Sequence, residues 1–136
     1  MRFEFATATR IVFGPGALRE VGPLAADLGA RPLLVTGKTA ARAEPLRALL
    51  RAQGLDPVSF AVEGEPTTIV VQQGVDLAQQ YGCDFVIGFG GGSPLDAAKA
   101  IAALLTNPGA LLTYLEVIGE GRPLARPAAP IIAIPT

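Results

Sequence analysis

Residues 84–99, DFVIGFGGGSPLDAAK, constrain this chain more than any other stretch. Within 84–89 every residue after Asp84 is apolar, so the stretch reads as a strand buried on both sides, the habit of parallel sheets. It leads into Gly90-Gly91-Gly92 and Ser93-Pro94, after which apolar residues recur at helical spacing over 95–105. Consecutive glycines cost folding entropy, and their use argues that the backbone must lie close to something. A helix N-terminus behind them offers unpaired N–H groups and about half a positive charge. The combination reads as a phosphate or pyrophosphate cradle built from Gly90, Gly91 and Gly92, with the Ser93 hydroxyl as a further donor. The alternative is that Ser93 is an N-cap ahead of Pro94 at the first helical position, and the glycines a tight turn. As a dinucleotide fingerprint, Gly88-x-Gly90-x-x-Ser93 only approximates G-x-G-x-x-G, and it does not follow the first strand.

Elsewhere the apolar period switches back and forth between strand and helix. Residues 3–7 alternate and 10–13 follow, with Gly14-Pro15-Gly16 as punctuation, so both read as short strands of an antiparallel hairpin. Leu18, Val21, Leu24, Ala25 and Leu28 have helical spacing stopped by Gly29. Residues 32–36 read as a buried strand, 45–53 as a helix with Pro45 in its first turn, and 58–62 as an alternating strand. Pro66-Thr67-Thr68 opens a helix closed by Gly82, 116–127 is loop or a small hairpin, and 129–134 is a last strand. The order β-β-α-β-α-β-α-β-α-loop-β predicts an α/β fold, a parallel sheet with helices on both faces. Residues 1–136 make one domain at roughly 100–200 residues per domain.

Histidine is absent, which removes the commonest metal ligand and the commonest general base at neutral pH. No catalytic or metal-ligating residue is expected within the chain, so chemistry must come from a cofactor or from groups supplied elsewhere. A net charge of −1 gives no electrostatic case for nucleic acid or an anionic membrane surface. With 50% hydrophobic and 17% charged residues the chain is not disordered, yet no apolar run reaches the ~18 residues of a membrane span. Cys83 is the single cysteine and no secretory signal opens the sequence, so a cytoplasmic protein is expected. Cys83 itself should pack as a small apolar residue, and Glu63 and Glu65 should be solvated.

Two further groups could touch a ligand. In nucleotide-binding α/β folds a strand end often carries an acidic residue for the adenine ribose 2′-OH. Here the candidate stretch is Thr36-Gly37-Lys38-Thr39, with Gly37 at that position and Lys38, Thr39 and Arg42 nearby, and such a cationic end suits a 2′-phosphate; the alternative is a plain loop with solvated charges. Asp96 and Lys99 share a helix face three residues apart. Either they form a surface salt bridge, or Asp96 touches ligand or orders the loop while Lys99 approaches a phosphate.

Three segments, FEFATATRIVFGPGAL, GFGGGSPLDAAKAIA and RPLARPAAPIIAIPT, together resemble the N-terminal domain of the iron-containing (group III) alcohol dehydrogenases, in that family's order and spacing. The resemblance implies a Rossmann-like domain that binds NAD or NADP, followed by an all-helical domain that holds iron or zinc. It implies hydride transfer between a small alcohol or aldehyde and the nicotinamide, in a homo-oligomer. By position, Gly91, Gly92 and Ser93 would bind the pyrophosphate, and Thr136 would open a threonine- and glycine-rich loop that touches cofactor. Gly37 falls where NAD-preferring members carry aspartate, a departure towards NADP. The family's metal ligands lie beyond Thr136, so these residues are expected to bind dinucleotide without catalysis, as a fragment of a longer enzyme. A free-standing nucleotide-binding or sensing module and a lyase domain of dehydroquinate synthase type are the alternatives, the second a poorer match to PLDAAK and IAIPT.

Overall fold

The computed structural model describes residues 1–4, 6, 7 and 9–136. Among these, four strands form one parallel sheet: β1 (Pro32–Gly37), β2 (Val58–Val62), β3 (Phe85–Gly90) and β4 (Ile131–Pro135), in the order β2-β1-β3-β4. β1 lies centrally, with Leu34 opposite Ser59 of β2 and Ile87 of β3. The helices are α1 (Val21–Ala26), α2 (Glu44–Arg51), α3 (Thr68–Gln80), α4 (Gly92–Thr106) and α5 (Leu111–Tyr114).

The continuous apolar runs are explained by burial on two sides. Leu33 and Val35 of β1 and Val86 of β3 pack against Val71 and Val75 of α3 and Ala97, Ala98 and Ile101 of α4. The intervening Leu34, Phe85 and Ile87 point the other way, onto Val21 and Ala25 of α1 and Leu46 and Leu50 of α2. Successive side chains of a strand face opposite sides, so a strand covered on both faces must be apolar at every position. The expected α/β sandwich with helices on both faces is what forms.

Helix ends follow local chemistry. Thr67 caps α3, its Oγ1 accepting from the Val70 N–H at 3.2 Å. Pro45 stands in the first turn of α2, where its missing N–H is not needed. Residues 17–20 form a 3₁₀ turn before α1 instead of a continuous helix, and α4 begins at Gly92, three residues before the expected Leu95.

The hairpin expected at the N-terminus is not confirmed. Residues 3, 4, 6, 7 and 10–13 carry no strand and stand exposed, Phe13 at 99% and Ile11 at 71%. Phe5 of that hairpin, and Ala8 between its arms, lie outside the described residues. Two strands with nothing to pack on are marginal in water. β4 begins at Ile131, two residues later than expected, and its side chains alternate between exposed and half-buried, Ile132 and Ile134 packing on the α1/α2 side. No helix among the described residues is long and apolar enough to cross a membrane.

The strand order sets where a ligand can go. From β1 the chain steps outward through α2 to β2, then α3 carries it back past β1 to β3, and α4 onward to β4. The direction of winding reverses between β1 and β3. Crevices of open α/β sheets form outside the carboxyl ends of the strands at such a reversal.

Candidate functional site

At that reversal lies a cleft of about 160 Å³. One wall comes from the end of β1 and the turn after it: Thr36, Gly37, Lys38, Thr39 and Arg42. The other comes from Phe89, Gly90 and Gly91 at the end of β3, Pro94 of α4, and Thr136 just past β4. Thr136 is held there by its N–H, which donates to the Gly90 carbonyl at 3.0 Å.

The three glycines do different work. Gly90 has φ +140°, and a Cβ on it would lie 2.7 Å from Pro94 Cγ, so the turn itself demands glycine. Gly91 is in extended backbone at φ −81°, ψ −161°, and Gly92 is the first residue of α4. A Cβ at either would meet nothing within 4 Å. Neither packing nor backbone conformation therefore requires glycine at 91 and 92. What they leave is open space over the start of α4, where the first N–H groups have no intrahelical acceptor. The N-cap is Gly91 and supplies no side-chain bond.

Ser93 is accordingly not the N-cap. It is the second residue of α4, half-buried, and its hydroxyl makes no hydrogen bond among the described residues. Asp96 accepts from Lys99 Nζ at 3.2 Å, with both side chains more than half exposed, at 67% and 62%. This is the surface pair of the two alternatives, and neither residue lines the cleft. Lys38, Thr39 and Arg42 are exposed at the cleft mouth, Arg42 on the 3₁₀ turn Ala40–Ala43.

Thr36 opens the candidate stretch Thr36-Gly37-Lys38-Thr39, but the sequence alone assigns its hydroxyl no role, although it is the one polar side chain in the run 32–36. It is 2% exposed and its Oγ1 is buried without a partner. A hydroxyl at the last inward position of a buried strand is the signal that marks it, because such groups are normally paired.

A larger cleft, about 610 Å³, opens at the opposite end of the sheet beside Arg31, Val58, Ser59, Leu77 and Tyr81. Two of its polar groups already have partners: Arg31 Nη1 donates to the Tyr81 carbonyl at 2.8 Å, and Ser59 Oγ accepts from Arg47 at 3.2 Å. The smaller cleft, with free backbone donors and an unpaired hydroxyl, is the better candidate. Cys83 is half-buried against the α3/α4 core, and burial pushes its thiol pKa up, with Arg31 opposing more weakly. Among the described residues no three His, Cys, Asp or Glu side chains are grouped to hold a metal ion.

Residues 8–136 match the family model described as iron-containing alcohol dehydrogenase. Sulfoacetaldehyde reductase of Bilophila wadsworthia is 35% identical over 141 aligned residues, which take in 100% of this chain and 35% of that protein. A 1,3-propanediol oxidoreductase structure superposes with a TM-score of 0.91 at 30% identity, over 100% of this chain and 36% of the other. Sulfoacetaldehyde reductase from Bifidobacterium kashiwanohense, solved in complex with NAD+, gives a TM-score of 0.83 at 25% identity over 99% of this chain and 36% of that one. The chain thus spans about a third of the length of these relatives. Matched along nearly all of its residues in sequence and fold, the chain belongs to the iron-containing alcohol dehydrogenase family.

Proposed function

We propose that this chain holds the dinucleotide of an NAD(P)-dependent dehydrogenase that moves hydride between a small alcohol or aldehyde and a nicotinamide. The observation that carries the reading is the open space above Gly91 and Gly92 at the N-terminus of α4, beside the winding reversal of the sheet. In this reading the first N–H groups of α4 take the pyrophosphate, aided by the helix dipole, and Ser93 adds a hydroxyl donor. Gly37, Lys38 and Thr39 face the adenosine end, and Thr136 closes the cleft beside Gly90. When bound, the dinucleotide supplies the hydride acceptor or donor. The role proposed for these residues is cofactor binding, and binding without turnover is the expected behaviour of the chain alone.

Calorimetric titration of the chain with NAD and NADP tests this. The expected result is saturable binding that Gly92→Val weakens by about tenfold or more, a loss of about 1.4 kcal/mol. The melting temperature should stay nearly unchanged, because a Cβ at this position meets nothing within 4 Å. Absence of binding at millimolar cofactor, or equal binding by Gly92→Val, overturns the reading.

Cofactor choice turns on Gly37. No carboxylate stands at the end of β1 to repel a 2′-phosphate, and Lys38 and Arg42 line the same cleft, so the reading favours NADP. The Bifidobacterium relative was solved with NAD+, which makes the preference worth measuring directly. A Cβ at Gly37 meets nothing within 4 Å, so the backbone there has room for a side chain to begin. Gly37→Asp should shift the NADP/NAD affinity ratio towards NAD by about fivefold or more, about 1 kcal/mol. An unchanged ratio removes Gly37 from the specificity account.

A further inference from the structure

Thr36 occupies the last inward-facing position of β1, between Ala61 of β2 and Phe89 of β3. Among the described residues its Oγ1 is the buried side-chain oxygen or nitrogen that lacks a hydrogen-bond partner. An unpaired buried hydroxyl is unfavourable. Valine would keep the branched shape and the strand preference without that burden, and β1 already uses valine one residue earlier, at Val35. Stability of the empty fold therefore does not explain threonine here.

Position does. Thr36 lines the cleft, with Gly90 and Thr136 on the far wall and Lys38, Thr39 and Arg42 on its own side. Those last three are exposed and free to give way to an entering group. If the pyrophosphate lies on α4, a premise taken from the proposed function, the part of a dinucleotide that reaches the end of the neighbouring strand β1 is the adenosine ribose. The geometry points to Thr36 Oγ1 as the specificity-determining group that hydrogen-bonds the 2′-oxygen of that ribose. A hydroxyl both donates and accepts, so it accepts from a 2′-OH or donates to a 2′-phosphate, where a carboxylate serves only the first.

The test is Thr36→Val, titrated calorimetrically with NAD, NADP and NAD lacking the adenosine 2′-hydroxyl. NAD and NADP should bind about five- to tenfold more weakly than to the wild type, the deoxy analogue should be unaffected, and Thr36→Ser should stay within about twofold of wild type. The melting temperature of the ligand-free Thr36→Val chain should be unchanged or higher. An equal loss with all three ligands, or no loss with any, overturns the assignment. If the wild type binds no dinucleotide, the cofactor reading and this inference fall together. If it binds but Thr36→Val does not discriminate, only Thr36 falls. Should Thr36→Val fail to fold, Thr36→Ala carries the same three-ligand comparison.

Discussion

Replacing Asn107 with alanine should lower the unfolding free energy by about 3 kcal/mol, with a fall in melting temperature on the order of 10 °C. Asn107 is 1% exposed and fully engaged. Its Nδ2 donates to the Ala103 carbonyl at 2.9 Å, to Thr106 Oγ1 at 3.1 Å and to the Arg126 carbonyl at 3.0 Å. Its Oδ1 accepts from the Arg126 N–H at 2.9 Å. Alanine removes these bonds and leaves the Arg126 N–H and carbonyl without the partner they have now, which is the costly form of deletion. Asn107→Asp should be no better, since it keeps the acceptor for Arg126 but turns oxygen towards two carbonyls. Chemical denaturation of both variants checks this, and a loss below about 1 kcal/mol would mean that the network contributes little.

The effect should reach the site. Asn107, together with Thr106 Oγ1, which donates to the Pro127 carbonyl at 2.7 Å, ties the returning loop to the end of α4. The Ala129 N–H then donates to the Ala102 carbonyl at 2.9 Å, and the chain enters β4, which ends beside Thr136 and Gly90. Loosening the loop removes the anchor that sets where Thr136 arrives.

This bridge shows what kind of information the sequence carries openly. Asn107 reads as a helix stop before Pro108-Gly109, and α4 does end there, at Thr106. Its principal role depends on Arg126, nineteen residues away, and no local pattern announces a partner at that distance. By contrast β1, β2 and β3 fall within a residue or so of their expected bounds, because burial on one or both faces imposes a period that can be read directly. β4 reads simply as a last apolar strand, because periodicity does not say which strand lies at the margin of the sheet. The start of α4 departs from expectation for another reason. The first helical N–H groups need no intrahelical acceptor, so a proline fits any position of the first turn, and Ser-Pro does not fix which residue is the cap. Within the site, the glycine run and the Gly37 turn stand out as departures from ordinary composition. Thr36 is legible only as the start of that stretch, because one hydroxyl in an apolar run looks like a conservative strand residue until its lack of a partner is seen.

Gly88→Val should destabilise the fold by about 3 kcal/mol and weaken dinucleotide binding by about tenfold or more, although residue 88 does not line the cleft. A Cβ at Gly88 would lie 2.9 Å from Ala98 Cβ and 3.2 Å from Leu95 Cδ2, with Leu95 Cα at 3.5 Å. Leu95 can change rotamer, but Ala98 Cβ is fixed to the backbone, so relief requires α4 to move away from β3. The same helix presents Gly92 and Ser93 at its N-terminus, and any such movement shifts the N–H groups proposed to hold the pyrophosphate relative to the end of β1. Gly91→Ala supplies the contrast: its Cβ meets nothing in the fold, so it should leave stability nearly intact and affect binding alone. The mechanism is separable from a general loss of order by exchanging the methyl across the contact. Gly88→Ala alone should cost about 1–2 kcal/mol, and Ala98→Gly alone about 1 kcal/mol from helix propensity. The double variant should lose less than the sum of the two, because the methyl removed from α4 makes room for the one added to β3, and the coupling should be at least about 0.5 kcal/mol. Strict additivity would show that glycine at 88 is not required by the approach of α4, and would detach the position of the cradle from the packing beneath it.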